Sequence, residues 1–535
     1  MKKFYALFPL LGLLLIACSD DDDAQTTTPD PDPIVFTSGT ADFSNYVSIG
    51  NSLTAGFSDN ALFIAGQEAS LPNMLASNFA LAGGGTFNIP FMADNLGGAT
   101  INGFTDLDMD GNPDIANRLF LAFTPDGPTP TRVPGQGTTE ITQKLSGTFN
   151  NMGIPGAKSY ELLAEGYGSV AGLAAGTANP YFVRFSSSES ASVLGDAAAQ
   201  GATFFSLWAG SNDILLYATS GGTGVDRTGN DNAMEYNRND ITDPGLLGNA
   251  IGGILQTMTA NGAGGVIANL PDVTDIPFFT TVPFAPLDPT SETFGPQIPA
   301  LNAQFAGLNL VFQALDVPER QFVFSETEAS PVIIKDEDLT DLSAQITGAL
   351  MMNGVDAGTA QLTGFLYGQA RPANEDDLLV LTSRTEIGEL NEEAFALLTG
   401  TFMLPPETAG QLAVNGITFP LEDQWVLTPE EQEVVANALA AYNQTIETLA
   451  NQFGLAFVDA NAILANLNAN GLPQADGSVV TSTFATGGAF SLDGVHPAPR
   501  GYAILANAFI EAINETYGSN LPGVNPLDFT GLYID

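Results

Sequence analysis

Short apolar runs that stop at Gly, Asn or Asp recur along this chain, and helix-like stretches fall between them. The runs are "NYVSIG" (45–50), "ATFFSLWAG" (202–210), "GGVIANL" (264–270) and "LAFVDA" (455–460). They lack the polar–apolar alternation of a half-exposed strand, so each suits a strand covered on both faces of a parallel sheet. The intervening helices carry their own start and stop signals. In "TPEEQEVVANALAAYNQTIETLANQFG", Thr428 is placed to cap, Pro429 takes the first helical position, Glu431 completes a capping box and Gly454 ends the helix. A second such stretch, "GYAILANAFIEAINETYG" (501–518), repeats apolar residues at helical spacing. Strand–helix alternation of this kind predicts an α/β domain of three layers with a mostly parallel sheet.

The spacing is uneven. About 100 residues separate the first strand from the segment near Asn151, and about 155 separate Leu270 from Trp425. These stretches read as insertions at strand ends, at 57–145 and 275–425, with 275–425 a candidate for a separate domain. The α/β domain then covers 41–520, followed by a tail at 521–535.

The N-terminus reads as a targeting segment. Lys2 and Lys3 precede an apolar run from Phe4 to Ile16, which is short for a membrane span and of signal-peptide length. "LIAC" places Ala17 before Cys18, the single cysteine, and the stretch resembles a bacterial lipoprotein signal (1–17) with Cys18 as the acylated mature N-terminus. Residues 18–40 then form an acidic, Pro/Thr-rich tether. The run Asp20 to Asp23 resembles a surface-export tag of gram-negative lipoproteins, so the expected place is the outer membrane, facing outward and attached through the lipid on Cys18.

With 14 Lys and Arg against 60 Asp and Glu, the net charge is −46. A surface that acidic repels phosphate backbones, which excludes nucleic acid as a partner. One histidine and one cysteine cannot assemble a His/Cys zinc site or an internal disulfide.

The lone histidine lies in "GGAFSLDGVHPAPRGYAIL" (487–505). Asp493 stands three residues before His496, where a turn lets its carboxylate accept a hydrogen bond from the imidazole and so orient a general base. Such a base needs a nucleophile. "YVSIGNSLTAGF" offers Ser52 just past a strand end, "NNMGIPGAKS" offers Gly156, and "LWAGSNDIL" offers Asn212 as an amide donor. These blocks, in this order, resemble the SGNH/GDSL hydrolase family: Ser52 in "GNSL", Gly156 in "NMGIPG", Asn212 in "GSND" and His496 in "DGVH", with "ANLPD" (268–272) similar to a further family segment. Asn51 departs from the family, which often has Asp there.

The resemblance implies a flavodoxin-like α/β/α core. It also implies Ser52 as nucleophile, His496 as base, Asp493 as its orienting partner, and an oxyanion hole from the Ser52 and Gly156 N–H groups with the Asn212 side chain. The implied reaction is hydrolysis of a carboxylic ester through an acyl-enzyme, with no cofactor required. A neutral ester of a glycan or lipid, carrying an acetyl or a short or medium acyl group, is the expected substrate. Apolar stretches of the insertions such as "IPFFTTVPFAPL" (276–287) are expected to wall its pocket. The alternative is a lipoprotein that holds a surface glycan or lipid in the same cleft without turnover. No G-x-S-x-G and no Ser-x-x-Lys occurs, which excludes two other serine templates.

One further motif stands apart. "DLDMDGNPD" puts Asp106, Asp108, Asp110 and Asp114 at positions 1, 3, 5 and 9 of a calcium-type loop, with Gly111 at 6 and Asn117 in place of Glu at 12. It is a candidate for structural calcium.

Overall fold

A computed structural model describes residues 34–106, 111–124 and 127–534. The signal segment, Cys18 and nearly all of the tether lie outside the described residues. From Phe36 onward the chain forms one compact unit.

At its centre are five strands: β1 (Tyr46–Gly50), β2 (Asn151–Gly153), β3 (Phe204–Trp208), β4 (Gly264–Ala268) and β5 (Ala456–Val458). They pair in the order β2-β1-β3-β4-β5, and every pairing is parallel. The order reverses at β1, so the chain moves outward first one way and then the other. In open parallel sheets, the crevice at the carboxyl ends beside that reversal is where ligands bind.

Every residue of β1 and β3 is buried, as expected of strands covered on both faces. Val47, Ile49, Phe205, Leu207 and Ile267 point into one apolar cluster, shared with Leu255 and Ile446. Those two residues belong to the helices Pro244–Thr259 and Pro429–Phe453. Tyr46, Phe204, Trp208, Val266 and Val458 point into another, shared with Leu75, Phe509 and Ile513. Those partners sit on the helices Leu71–Ala80 and Pro499–Tyr517. The strand pleat thus sends alternate side chains into two helical layers. The helix Pro429–Phe453 starts with the expected Thr428–Glu431 capping box and ends at Gly454 in the left-handed region.

The segment 275–425 does not simply decorate a loop. From Val282 to Val426 it builds an apolar core of its own, centred on Phe305, Phe312, Ile334 and Leu421, while remaining within the same compact unit. The C-terminal tail also packs: Leu121 N–H donates to Tyr533 O at 3.2 Å, and Arg500 N–H to Thr530 O at 3.0 Å. Among the described residues, no helix is long and apolar enough to cross a membrane.

Candidate active site at the carboxyl end of the sheet

Ser52 opens a single helical turn, α1 (Ser52–Ala55), immediately past β1. Two neighbours force this sharp exit. The Asn51 carboxamide oxygen accepts the Leu53 N–H at 3.0 Å and caps the turn. Gly50 lies so close to Thr54 Oγ1 and Trp208 O that a Cβ would come within 2.2 Å of each. The result leaves the Ser52 hydroxyl at the mouth of the sheet.

His496 reaches the same point from the other end of the chain. Its Nε2 lies 2.9 Å from Ser52 Oγ, and its Nδ1 lies 3.0 Å from Asp493 Oδ2. With Nδ1–H facing the carboxylate, Nε2 is left to accept the serine proton. The Asp493 side chain is 8% exposed and that of His496 14%. Burial alone would raise the Asp493 pKa. The adjacent imidazole and the hydrogen bonds from His496 and Val495 outweigh it and bring it down to about 2, so the group is an anion at working pH.

Asp493 is held by partners that the sequence motifs do not reveal. Its Oδ1 accepts from Ser491 Oγ at 3.0 Å, Val495 N–H at 2.9 Å and His496 N–H at 2.8 Å. Its Oδ2 takes the Asn60 N–H at 2.8 Å as well as the imidazole. Asn60 can present that N–H because Asp59 and Asn60 both adopt positive φ, 50° and 61°, between Ser58 and Ala61, which bond to each other in both directions. This is the backbone of a tight hairpin turn of the kind Asp and Asn favour. The Asp-Asn pair was a readable signal in the sequence, inside a stretch assigned to an insertion.

Asp59 is itself buried, at 1% exposure. Its N–H donates to Ser491 Oγ at 2.9 Å, and its Oδ1 accepts the Leu492 N–H at 2.9 Å. Burial, with Asp493 nearby, pushes its pKa up to about 7 against the opposing pull of that N–H and of Arg118. The ring of Phe57 packs 4.7 Å from the imidazole.

The oxyanion-hole candidates are arranged as follows. Asn212 is buried and donates one amide hydrogen to Ala157 O at 2.9 Å, which fixes the side chain and leaves its second hydrogen free for a ligand. Asn212 lines the same apolar slot as Ser52 and His496; Gly156 does not line that slot. Gly156 sits one residue before the carbonyl that holds Asn212, with φ +78°, on a turn whose oxygen is bonded by Arg238. The backbone N–H groups of Ser52 and Gly156 have no protein acceptor among the described residues.

The two loops are clamped together. The next residue after Asn212, Asp213, is fully buried and accepts from Ser159 N–H at 2.9 Å and Ser159 Oγ at 2.8 Å. Beside it, buried Lys158 donates to Asp240 O at 2.6 Å. Burial lowers the lysine pKa and raises that of Asp213, and each charge partly offsets the other's shift.

Two acidic groupings bear on metals. Of the calcium-type loop, Asp108 and Asp110 lie outside the described residues. Asp106 Oδ2 accepts the Gly111 N–H at 3.0 Å, and the Asn117 amide nitrogen is committed to the carbonyls of Val133 and Gly135. Separately, Glu337, Asp423 and Glu431 bring carboxylate oxygens within 4.8 Å of one another, a spacing that could hold a cation. None of these residues lines the slot at Ser52.

That slot is walled differently from the expectation. Its sides are the helices Ala460–Asn470 and Pro499–Tyr517, and of the stretch 276–287 only Ile276 contributes. Phe278 and Phe279 turn into the main core instead, with Phe278 N–H bonded to Gly494 O at 2.9 Å, where they support the histidine loop.

Comparison of the chain with protein-family models, with curated proteins and with solved structures gives no match.

Proposed function

We propose that this protein is a serine esterase with a flavodoxin-like core of the SGNH type, cleaving carboxylic esters through an acyl-enzyme. The observation that carries this reading is the unbroken chain Ser52 Oγ–His496 Nε2, His496 Nδ1–Asp493 Oδ2, at 2.9 and 3.0 Å. In the first half-reaction Ser52 Oγ attacks the ester carbonyl while its proton passes to His496 Nε2. The imidazolium, steadied by Asp493, returns that proton to the departing alkoxide, so an alcohol leaves and an ester to Ser52 remains. Water then attacks the acyl carbonyl as His496 takes its proton, and His496 passes that proton to Ser52 Oγ as the C–O bond breaks, so the carboxylic acid leaves and the serine hydroxyl is restored. Negative charge on the carbonyl oxygen is met by the free hydrogen of Asn212 and the Ser52 N–H, with the Gly156 N–H as third donor.

Two features of the proposal rest on sequence alone: acylation of Cys18, and display on the outer membrane facing outward. A cleft that only held a ligand would have no use for an aligned hydroxyl–imidazole–carboxylate chain, so catalysis is preferred over passive binding.

The test is a stopped-flow assay with p-nitrophenyl esters together with labelling by a serine-directed organophosphonate. The expected result is a burst of one nitrophenol per chain and labelling of Ser52 alone. Absence of both, or labelling elsewhere, overturns the assignment.

A further inference from the structure

The slot beginning at Ser52 and His496 runs between α2 (Ala460–Asn470) and α3 (Pro499–Tyr517). On α2, Ala460, Ile463, Leu464 and Leu467 line it, at the spacing that stacks side chains on one helical face; on α3, Gly501, Ile504 and Leu505 do the same. Its hydrogen-bonding side chains are Ser52, Ser211, Asn212, His496 and Trp208, whose indole N–H is already given to Asn269 O at 3.0 Å. The other lining side chains are hydrocarbon, and His496 is the only titratable residue of the lining.

We propose that this slot binds an unbranched aliphatic acyl chain of at least about six carbons, so that the substrate is a lipid-type acyl ester and not an acetylated glycan. This rests on the esterase reading above. Three properties of the slot support it.

First, chemistry: sugar hydroxyls buried along Leu464, Leu467 and Ile504 would lose their water partners and find none, whereas methylenes gain from the same burial. Second, continuity: residues of both helices line one cavity together with Ser52 and His496, so a chain attached at the nucleophile meets hydrocarbon from two sides. Third, length: Ala460 to Leu467 advance about 10 Å along the helix axis, the extended length of roughly eight methylenes. Because the slot starts at the nucleophile, a chain lying in it can remain attached to Ser52 after the alcohol has left.

The experiment compares p-nitrophenyl esters from acetate to dodecanoate, which share one leaving group, with a series of alkyl acetates, which share one acyl group. The expected result is a rise in kcat/KM of about two- to fourfold per methylene in the first series, at least ~50-fold between acetate and octanoate, and a flat second series. Leu467→Trp and Ile504→Trp, which add bulk to the slot lining, should abolish the gain beyond about hexanoate. Circular dichroism and organophosphonate labelling of Ser52 check that the variants fold. Cis-parinaric acid should bind to Ser52→Ala and lose affinity when either tryptophan is added. Ser52-dependent hydrolysis that is as fast on acetate as on octanoate, or a length response confined to the alcohol side, overturns the acyl slot and leaves the esterase standing. No Ser52-dependent hydrolysis of any ester overturns the esterase itself.

Discussion

Around His496 and around Glu431 the chain brings half-buried or buried carboxyl groups together, yet Asp493 and Asp423 settle in opposite charge states. Asp493 is surrounded by donors: the imidazole, the Ser491 hydroxyl and the N–H groups of Asn60, Val495 and His496, all within 3.0 Å. Its pKa falls to about 2. In the other cluster, burial raises Asp423 to about 8, with Glu337 hydrogen-bonded to it and Glu431 close by. Glu431 rises to about 7 despite the Thr428 N–H and hydroxyl. Burial pushes the same way in both. What differs is whether the surroundings supply positive charge and N–H groups or further carboxyls. Crowded acids are therefore a poor guide to catalysis, whereas an anion held by donors and aimed at an imidazole is informative.

The comparison breaks most visibly in turnover. Ser52→Ala or His496→Ala should lower kcat by ~10³-fold or more, and Asp493→Asn by a similar factor, because the imidazole loses the partner that fixes its tautomer. The double variant Ser52→Ala/His496→Ala should be hardly slower than either single one. Asp423→Asn should leave ester turnover unchanged, and a loss comparable to Asp493→Asn would erase the distinction. Next in size, Asn212→Ala should cost about 10²–10³-fold in kcat with little change in KM, since its amide meets charge that exists only in the transition state. A pure KM effect would move Asn212 to ground-state binding.

A smaller effect separates what the sequence made legible from what it hid. β1, Ser52, Asn212 and the Asp493–His496 pair were readable because each depends on neighbours a few residues away: a strand that ends in glycine, a cap, a turn. The grip of Asn60 on Asp493 was not, because it joins positions 433 residues apart and arises only when the sheet closes. The clamp of Ser159 on Asp213 spans 54 residues and was hidden for the same reason. The slot was invisible in a different way. Leu464, Leu467 and Ile504 read as the inward faces of ordinary amphipathic helices, and periodicity cannot say where two such faces leave a gap. Ser491→Ala tests the hidden part. It removes one of the hydrogen bonds to the Asp493 anion and an acceptor for Asp59 N–H, so kcat should drop about tenfold with KM nearly constant. An unchanged kcat would make the Ser491 contact structural only.

The smallest effect concerns stability, and there Asp493 and Asp423 should differ in sign. Asp493, with its pKa lowered from an ordinary 3.8 to about 2, binds its proton less readily when folded. Its contribution is complete above about pH 4 and is lost as the pH falls toward 2. Asp423 is the reverse. Between about pH 4 and 8 the folded chain keeps a proton on it that the unfolded chain has released, so stability falls as pH rises across that window and levels off above it. Glu431 adds a slope of the same direction up to about pH 7, and Asp59 does so near the active site. Asp423 is only partly buried, so screening by water trims its share to about 1–2 kcal/mol. Asp423→Asn, which stays neutral, should therefore match the parent protein in urea unfolding near pH 4.5 and exceed it by about that amount near pH 9. An equal stability difference at both pH values would mean that Asp423 holds no extra proton in the folded state, and the contrast with Asp493 would then rest on geometry alone.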